Sequence, residues 1–287
     1  MIVVAKQLRL HQWSKNILIL IPIFSAHRLL ETAAWVNGAL AFLSFSLVAS
    51  SVYVFNDLKD LESDRAHPTK RHRPLASGRL SAGTGWGLGT LSLVLGATLA
   101  GFLGADFAGY LLTYLFLNLA YTLRIKKIPM LDGILLACLY TLRIVAGGAA
   151  TGIPISSWLL AFSLFFFLGL AMVKRFSELR LLADSTVKVG RGYLADDLGT
   201  VRSFGISASM VSLMIFSLYL NSPASVALYR HPDRLWLVLP VLLSFIGRFW
   251  LFAGRGAVHE DPVIFALRDR ASWLMGFVFV GVFLAAI

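Results

Sequence analysis

Asn56-Asp57-Leu58-Lys59-Asp60-Leu61-Glu62-Ser63-Asp64 closes one apolar run and opens a basic one. Residues 39–55, just before it, supply most of a membrane helix, and carboxylates at the end of such a helix are costly unless they are used. If the helix continues, Asn56, Asp60 and Asp64 fall on one face, with Asp57 bordering the stripe. Arg65-Ala66-His67-Pro68-Thr69-Lys70-Arg71-His72-Arg73-Pro74 follows, dense in phosphate-binding donors. Carboxylates beside a basic segment at a membrane surface point to Mg²⁺ and a polyphosphate, because Mg²⁺ takes hard oxygen ligands and is usually shared with substrate phosphate. Asp57, Asp60 and Asp64 are the candidate metal ligands, and Asn56 joins them by orienting phosphate or a metal-bound water. The plain alternative is a solvated helix end whose charges pair with Lys59 and Arg65.

Working outward, 57% of the 287 residues are hydrophobic and only 14% are charged, which excludes an ordinary soluble domain. Apolar runs at 17–34, 36–56, 84–103, 107–123, 130–149, 156–173, 203–221, 235–253 and 271–287 predict an all-α polytopic membrane protein of nine transmembrane helices. They are read as one membrane-embedded domain over 1–287, with no cleavable leader among the basic, amphipathic first residues. The formal charge of +11 does not indicate nucleic acid, because it is laid out by membrane side. Only Arg28, Arg230 and Arg234 fall on one side, Arg143 lies within a span, and every other Lys and Arg collects on the opposite side. That asymmetry predicts a bacterial-type inner (plasma) membrane protein with a cytoplasmic N-terminus and cytoplasmic active-site loops. The lone cysteine, Cys138, lies in an apolar run and excludes an internal disulfide.

Further candidates lie on the same side. Lys15 and Asn16 follow Trp13 at the start of the first span, where a membrane anchor is the simpler reading. Lys174 and Arg175 end an apolar helix, and Arg191 and Tyr193 follow in the long loop 174–202. Glu178 stands four residues from Lys174, as in an ordinary ion pair, and the adjacent Asp196 and Asp197 face different sides of a helix. Tyr121 and Lys126, with Asn118 and Asp132, bracket another turn facing that side. Arg143, deep in a span, is either functional or paired structurally.

Together these residues resemble the UbiA superfamily of intramembrane prenyltransferases, nine-helix bundles whose first Asp-rich motif has the form N-D-x-x-D-x-x-x-D. Asn56-Asp57-x-x-Asp60-x-x-x-Asp64 matches it at the end of the second span. The finer resemblance is to the decaprenyl-phosphate phosphoribosyltransferase branch. It is carried by Leu10-His11-Gln12-Trp13-Ser14-Lys15-Asn16, Asp64 through Pro74, Lys174-Arg175-Phe176-Ser177-Glu178-Leu179 and Leu267-Arg268-Asp269-Arg270. Aromatic prenyltransferases of the superfamily carry a second Asp-rich motif where this chain has Lys174-Arg175-x-x-Glu178.

The resemblance implies a Mg²⁺-dependent transfer of 5-phosphoribose from phosphoribosyl pyrophosphate to a polyprenyl phosphate, as in cell-wall precursor synthesis. Under it, Asn56, Asp57, Asp60 and Asp64 hold the metal on the leaving pyrophosphate. Lys70, Arg71 and Arg73 neutralise its charge, and Lys174, Arg175, Arg191 and Tyr193 hold the 5-phosphate and ribose. Lys15 and Asn16 steer the lipid phosphate, and Tyr121, Lys126 and Arg143 line the substrate cavity. The alternatives are a quinone-type prenyltransferase using a prenyl diphosphate, and a lipid or ion transporter; a homo-oligomer is compatible with any of these.

Overall fold

A computed structural model describes residues 2–183, 192–258 and 262–287. Among the described residues all regular structure is helical. The principal helices are α1 (Thr32–Lys59), α2 (Ala82–Leu103), α3 (Ala105–Leu123) and α4 (Leu131–Thr151), followed by α5 (Ser157–Ala183), α6 (Leu198–Leu220), α7 (Val238–Gly254) and α8 (Arg270–Ala286). Among the described residues, six helical segments are long and apolar enough to cross a membrane, those containing α1, α2, α4, α5, α6 and α7. The chain is an all-helical, multi-pass membrane protein.

Among the described residues six of the expected nine spans meet that length and apolarity, and three fall short for separate reasons. α8 is 17 residues long, and α3 has its apolar length diluted by Asp106, Tyr110, Tyr114, Asn118 and Tyr121. The expected span over 17–34 is not one helix at all. Leu10–Leu20 winds as a 3-10 helix, Ile21–Ser25 forms a short α-helix with Pro22 in its first turn, and turns fill the gap to α1. Arg9 (φ 52°) and His27 (φ 56°) bracket this stretch in the left-handed region, which non-glycine residues rarely adopt. The backbone of Ile19 presses against α4 at Gly147, where a Cβ would stand 2.0 Å from the Ile19 carbonyl oxygen. Glycine is therefore required at Gly147.

Two compact units are present, Met1–Leu119 with Leu142–Pro154, and Ala120–Thr141 with Ile155–Ile287. In the first unit α1 packs along α2. The Ser44 hydroxyl of α1 donates to the Gly96 carbonyl of α2 at 2.7 Å, and a Cβ on Gly96 would stand 2.9 Å from the Ser44 carbonyl. Small residues let two apolar helices approach closely where the bilayer supplies no hydrophobic drive between them. α1 is apolar on most of its circumference, so burial rather than amphipathic patterning selects its partners. It buries Ser44, Ser46, Ser50 and Ser51 alongside Phe45 and Val48.

The second unit repeats the device with α5 and α6. Gly169 faces Ser209, and Gly205 faces Met172 and the Trp250 indole, with no room for a Cβ at either glycine. The Trp250 N–H of α7 donates to the Ser209 hydroxyl at 3.2 Å, which satisfies a half-buried indole. Phe245, Phe249, Phe252 and Phe265 form a chain of ring contacts that carries α7 toward the short helix Pro262–Arg268.

Candidate active site

The motif that opened the sequence reading closes α1. Its last turn passes into the short helix Leu61–Ala66 through Asp60, whose amide still donates to the Asn56 carbonyl at 2.9 Å. Seven residues separate Asp57 from Asp64, about two helical turns, so both carboxylates reach one side. Both are buried, at 4% and 1% exposure, while Asp60 is exposed and Asn56 half-buried.

A single guanidinium nitrogen bridges the buried pair. Arg73 Nη1 donates to Asp57 Oδ1 at 3.0 Å and to Asp64 Oδ2 at 2.6 Å. Lys70 Nζ stands 3.9 Å from the other Asp64 oxygen. Asp57 is also held from the N-terminal segment, where Arg9 Nη2 donates to Oδ1 at 2.7 Å and Gln7 Nε2 to Oδ2 at 3.0 Å. Arg9 makes this reach from its left-handed backbone and lies over the Tyr53 ring at 4.7 Å. Strained residues gather at functional sites, and this one orients a carboxylate.

The loop bearing Arg73 is fixed by local chemistry. Pro74 and Leu75 are buried, Leu75 packs where α2 has Gly85, and the Arg79 guanidinium donates to the His72 carbonyl at 2.7 Å. Lys70 and Arg71 lie in a short 3-10 turn, Lys70 half-buried and Arg71 exposed.

Two anionic side chains thus converge on one cationic nitrogen. Among the described residues no group of three His, Cys, Asp or Glu side chains is placed to hold a metal ion. The geometry therefore offers two carboxylates, Asp57 and Asp64, with Asp60 apart from the pair. Mg²⁺ is usually held by one or two carboxylates together with substrate phosphates and water, so the donor set fits that ion.

Two other candidates in this unit have structural partners. Asn16, 1% exposed, accepts from Arg143 Nε at 2.8 Å and donates to the Ser46 hydroxyl at 2.9 Å. Both ends of its amide are thus engaged. Arg143 also donates to the Tyr114 hydroxyl at 3.1 Å and lies 4.9 Å from that ring. Lys15, its neighbour in sequence, is half-buried.

In the second unit the candidates gather around Arg175. Its guanidinium, 1% exposed, donates to Asp132, to Glu178 Oε2 and, at 3.0 Å, to the Tyr121 hydroxyl. Asp132, wholly buried, also accepts from the Tyr193 hydroxyl and the Gly133 amide, each at 2.7 Å. The Tyr193 hydroxyl in turn accepts from the Met130 amide at 2.7 Å. Burial and the bond to Asp132 push the Tyr193 phenol well above its ordinary value and keep it a donor. Glu178 thus pairs with Arg175 three residues away. Lys126 and Lys174 are half-buried, Asp196 is exposed, and Asp197 accepts from the Leu194 amide at 2.8 Å. Arg191 lies outside the described residues.

Sequence reasoning missed Gln7, Arg9 and the central place of Asp132. Asp132 had a usable signal, a carboxylate at the start of a long apolar helix. Gln7 and Arg9 had none, since their partner lies about fifty residues away.

The structure defines a class: a multi-pass helical membrane protein with paired carboxylates and a basic loop at the end of a span. A family model for the UbiA prenyltransferase family matches residues 19–266, and the chain belongs to that family. It is 38% identical over 283 residues to the uncharacterized protein y4nM of Sinorhizobium fredii, covering 98% of this chain and 55% of that protein. The chain thus spans about half the length of that relative. It is also 38% identical over 294 residues to the decaprenyl-phosphate phosphoribosyltransferase of Mycobacterium tuberculosis, covering 99% of this chain and 94% of the relative. A solved UbiA homolog from Archaeoglobus fulgidus, bound to DMAPP and Mg²⁺, shares the fold with TM-score 0.70 at 15% identity, over 99% of this chain and 98% of that one.

Proposed function

We propose that residues 1–287 act as one transferase domain that moves 5-phosphoribose from phosphoribosyl pyrophosphate to a polyprenyl monophosphate, releasing pyrophosphate. The observation that carries this reading is the pairing of Asp57 and Asp64 through Arg73, a cation site beside Lys70 and Arg71. Full-length similarity to the mycobacterial phosphoribosyltransferase supports this choice of donor.

In this reading Asp57 and Asp64 hold Mg²⁺, which when bound neutralises charge on the pyrophosphate. Gln7 and Arg9 keep the Asp57 carboxylate oriented toward the site. Arg73, released from the carboxylates, turns its planar fork to phosphate, which a guanidinium binds in bidentate fashion. Lys70 and Arg71 stabilise the negative charge that builds on the departing group. The bond between the anomeric carbon and the pyrophosphate oxygen breaks as a lipid phosphate oxygen bonds to that carbon. The nucleophile is already an anion, so no general base is assigned. Cytoplasmic placement of these loops follows from the one-sided Lys and Arg distribution.

A second reading rests on a specific observation: a solved relative with this fold was bound to DMAPP and Mg²⁺. It makes a prenyl diphosphate the donor, uses the same carboxylates and leaves the acceptor open. The decisive experiment incubates purified protein with Mg²⁺, phosphoribosyl pyrophosphate and a polyprenyl phosphate, detecting the phosphoribosylated lipid by mass. Product that EDTA abolishes supports the first reading. Absence of product, with turnover of DMAPP and an aromatic acceptor, replaces it with the second. Pyrophosphate release in either arm separates both from a transporter.

A further inference from the structure

The second unit holds a cavity of about 480 Å³ bounded by the C-terminal part of α5, the first turns of α6 and the end of α7. Phe176, Leu198 and Trp250 give it an apolar lining, and Arg180, Arg202 and Arg255 bring three positive charges to its wall. Among the described residues no carboxylate lines it. Among the described residues, none of the three guanidinium groups makes a hydrogen bond or ion pair. The Arg255 guanidinium lies 5.9 Å from the Phe252 ring.

The contrast within α7 shows that this is not the rule for the chain. Arg248, two turns earlier, meets both oxygens of Asp269 at 3.1 Å. Three like charges around one small cavity repel each other, and the repulsion grows as water is excluded. An anion between them reverses the sign of that interaction. Guanidinium groups match phosphate oxygens in bidentate fashion and are weakly hydrated.

The apolar lining selects among phosphates. A free phosphate or pyrophosphate gains nothing from Phe176, Leu198 and Trp250, whereas a phosphate on a glycerol and acyl stem buries that stem against them. The three helix ends belong to segments long and apolar enough to span the bilayer, so the cavity lies where lipid head groups are found. We infer that this cavity binds the phosphate head group of an anionic membrane phospholipid, gripped by Arg180, Arg202 and Arg255 with its stem on Phe176 and Trp250. None of these residues belongs to the carboxylate site, so the inference stands apart from the choice of donor.

The test is native mass spectrometry of the full chain, delipidated in mild detergent and offered one ligand at a time. Ligands are phosphatidylglycerol, cardiolipin, phosphatidylcholine, a polyprenyl monophosphate and inorganic pyrophosphate. Wild type should retain phosphatidylglycerol or cardiolipin over phosphatidylcholine. R202Q/R255Q should lose about thirtyfold in that retention, in line with roughly 1 kcal/mol for each of the two arginines near an anionic lipid. Both arginines are exposed, so an unchanged lipid-free melting temperature is the expected control for folding. The lysine pair R202K/R255K should recover part of the binding. Equal retention of phosphatidylcholine, or unchanged retention by R202Q/R255Q, would overturn the proposal. So would preferential binding of pyrophosphate or of the polyprenyl phosphate at this site.

Discussion

Each unit contains one guanidinium between two carboxylates, and the two arrangements work in opposite ways. In the second unit Arg175 is 1% exposed and lies between Asp132 and Glu178, with Tyr121 and Tyr193 completing the network. In the first unit Arg73 keeps 30% of its side chain exposed and bridges Asp57 and Asp64 from a surface loop. The sealed pair of Arg175 and Asp132, at 1% and 0% side-chain exposure, must be kept whole, because removing Arg175 leaves a buried carboxylate with neither water nor counter-ion. A half-open pair can exchange its cation for another, because water and a new anion can reach the guanidinium as it leaves. The same chemistry thus gives a fixture in one setting and an exchangeable site in the other.

The comparison breaks most readily at Arg175. Arg175→Met strands Asp132 in the interior and is expected to cost about 3 to 5 kcal/mol, read as a large fall in melting temperature. Asp132→Leu added to it should restore much of that loss; a further drop would mean that the network is not a closed pair. Next in size is Asp64→Asn, expected to lower transfer by roughly two orders of magnitude through lost electrostatic stabilisation while the melting temperature changes little. Asp60→Asn should be milder, because Asp60 lies outside the bridged pair; equal losses at the two positions would return Asp60 to the metal site.

Arg73→Gln sharpens the same point from the other side. Removing the resident cation should tighten binding of Mn²⁺, followed by electron paramagnetic resonance, by several-fold, yet slow turnover because phosphate loses its bidentate donor. Weaker Mn²⁺ binding would show that the guanidinium supports the site instead of filling it.

The smallest effect belongs to a third pair, Arg248 with Asp269. Asp269 caps α8, accepting from the Ser272 amide at 2.9 Å and hydroxyl at 2.8 Å. Partial burial opposes its charge, but the Ser272 bonds and Arg248 outweigh it and hold the carboxyl below its ordinary value of 3.8. A depressed carboxyl contributes stability that is present above the ordinary value and is lost as pH falls through the depressed one. Asp269→Ala should therefore cost about 1 kcal/mol near neutral pH and less in acid, measured by thermal unfolding at both.

The sequence showed what depends on local spacing. Asp57 and Asp64 stand out because their interval suits a helix end, and α1 and α2 because their apolar runs are unbroken. Asp60 lies apart from that carboxylate pair, since the turn at the end of α1 exposes it while its neighbours converge on Arg73. The stretch 17–34 misled because composition does not distinguish a 3-10 winding from an α-helix; the close contact of Ile19 with Gly147 was invisible in either segment alone. Arg9 with Asp57, and Arg175 with Asp132, join residues far apart in the chain, and no periodicity records such pairings. Arg175 and Tyr193 looked like phosphate donors because both carry polar groups beside basic residues. The structure shows those groups committed to Asp132.

Arg73 has one more consequence, for metal selectivity. A cation tethered nine residues from Asp64 competes at a high effective concentration against any ion that approaches alone. A free divalent ion gains two carboxylates but leaves the displaced guanidinium without an anion. An ion arriving already complexed with a pyrophosphate brings that anion with it. On the proposed reading the arginine acts as a threshold, leaving the site idle toward bare metal and responsive to the metal–substrate complex.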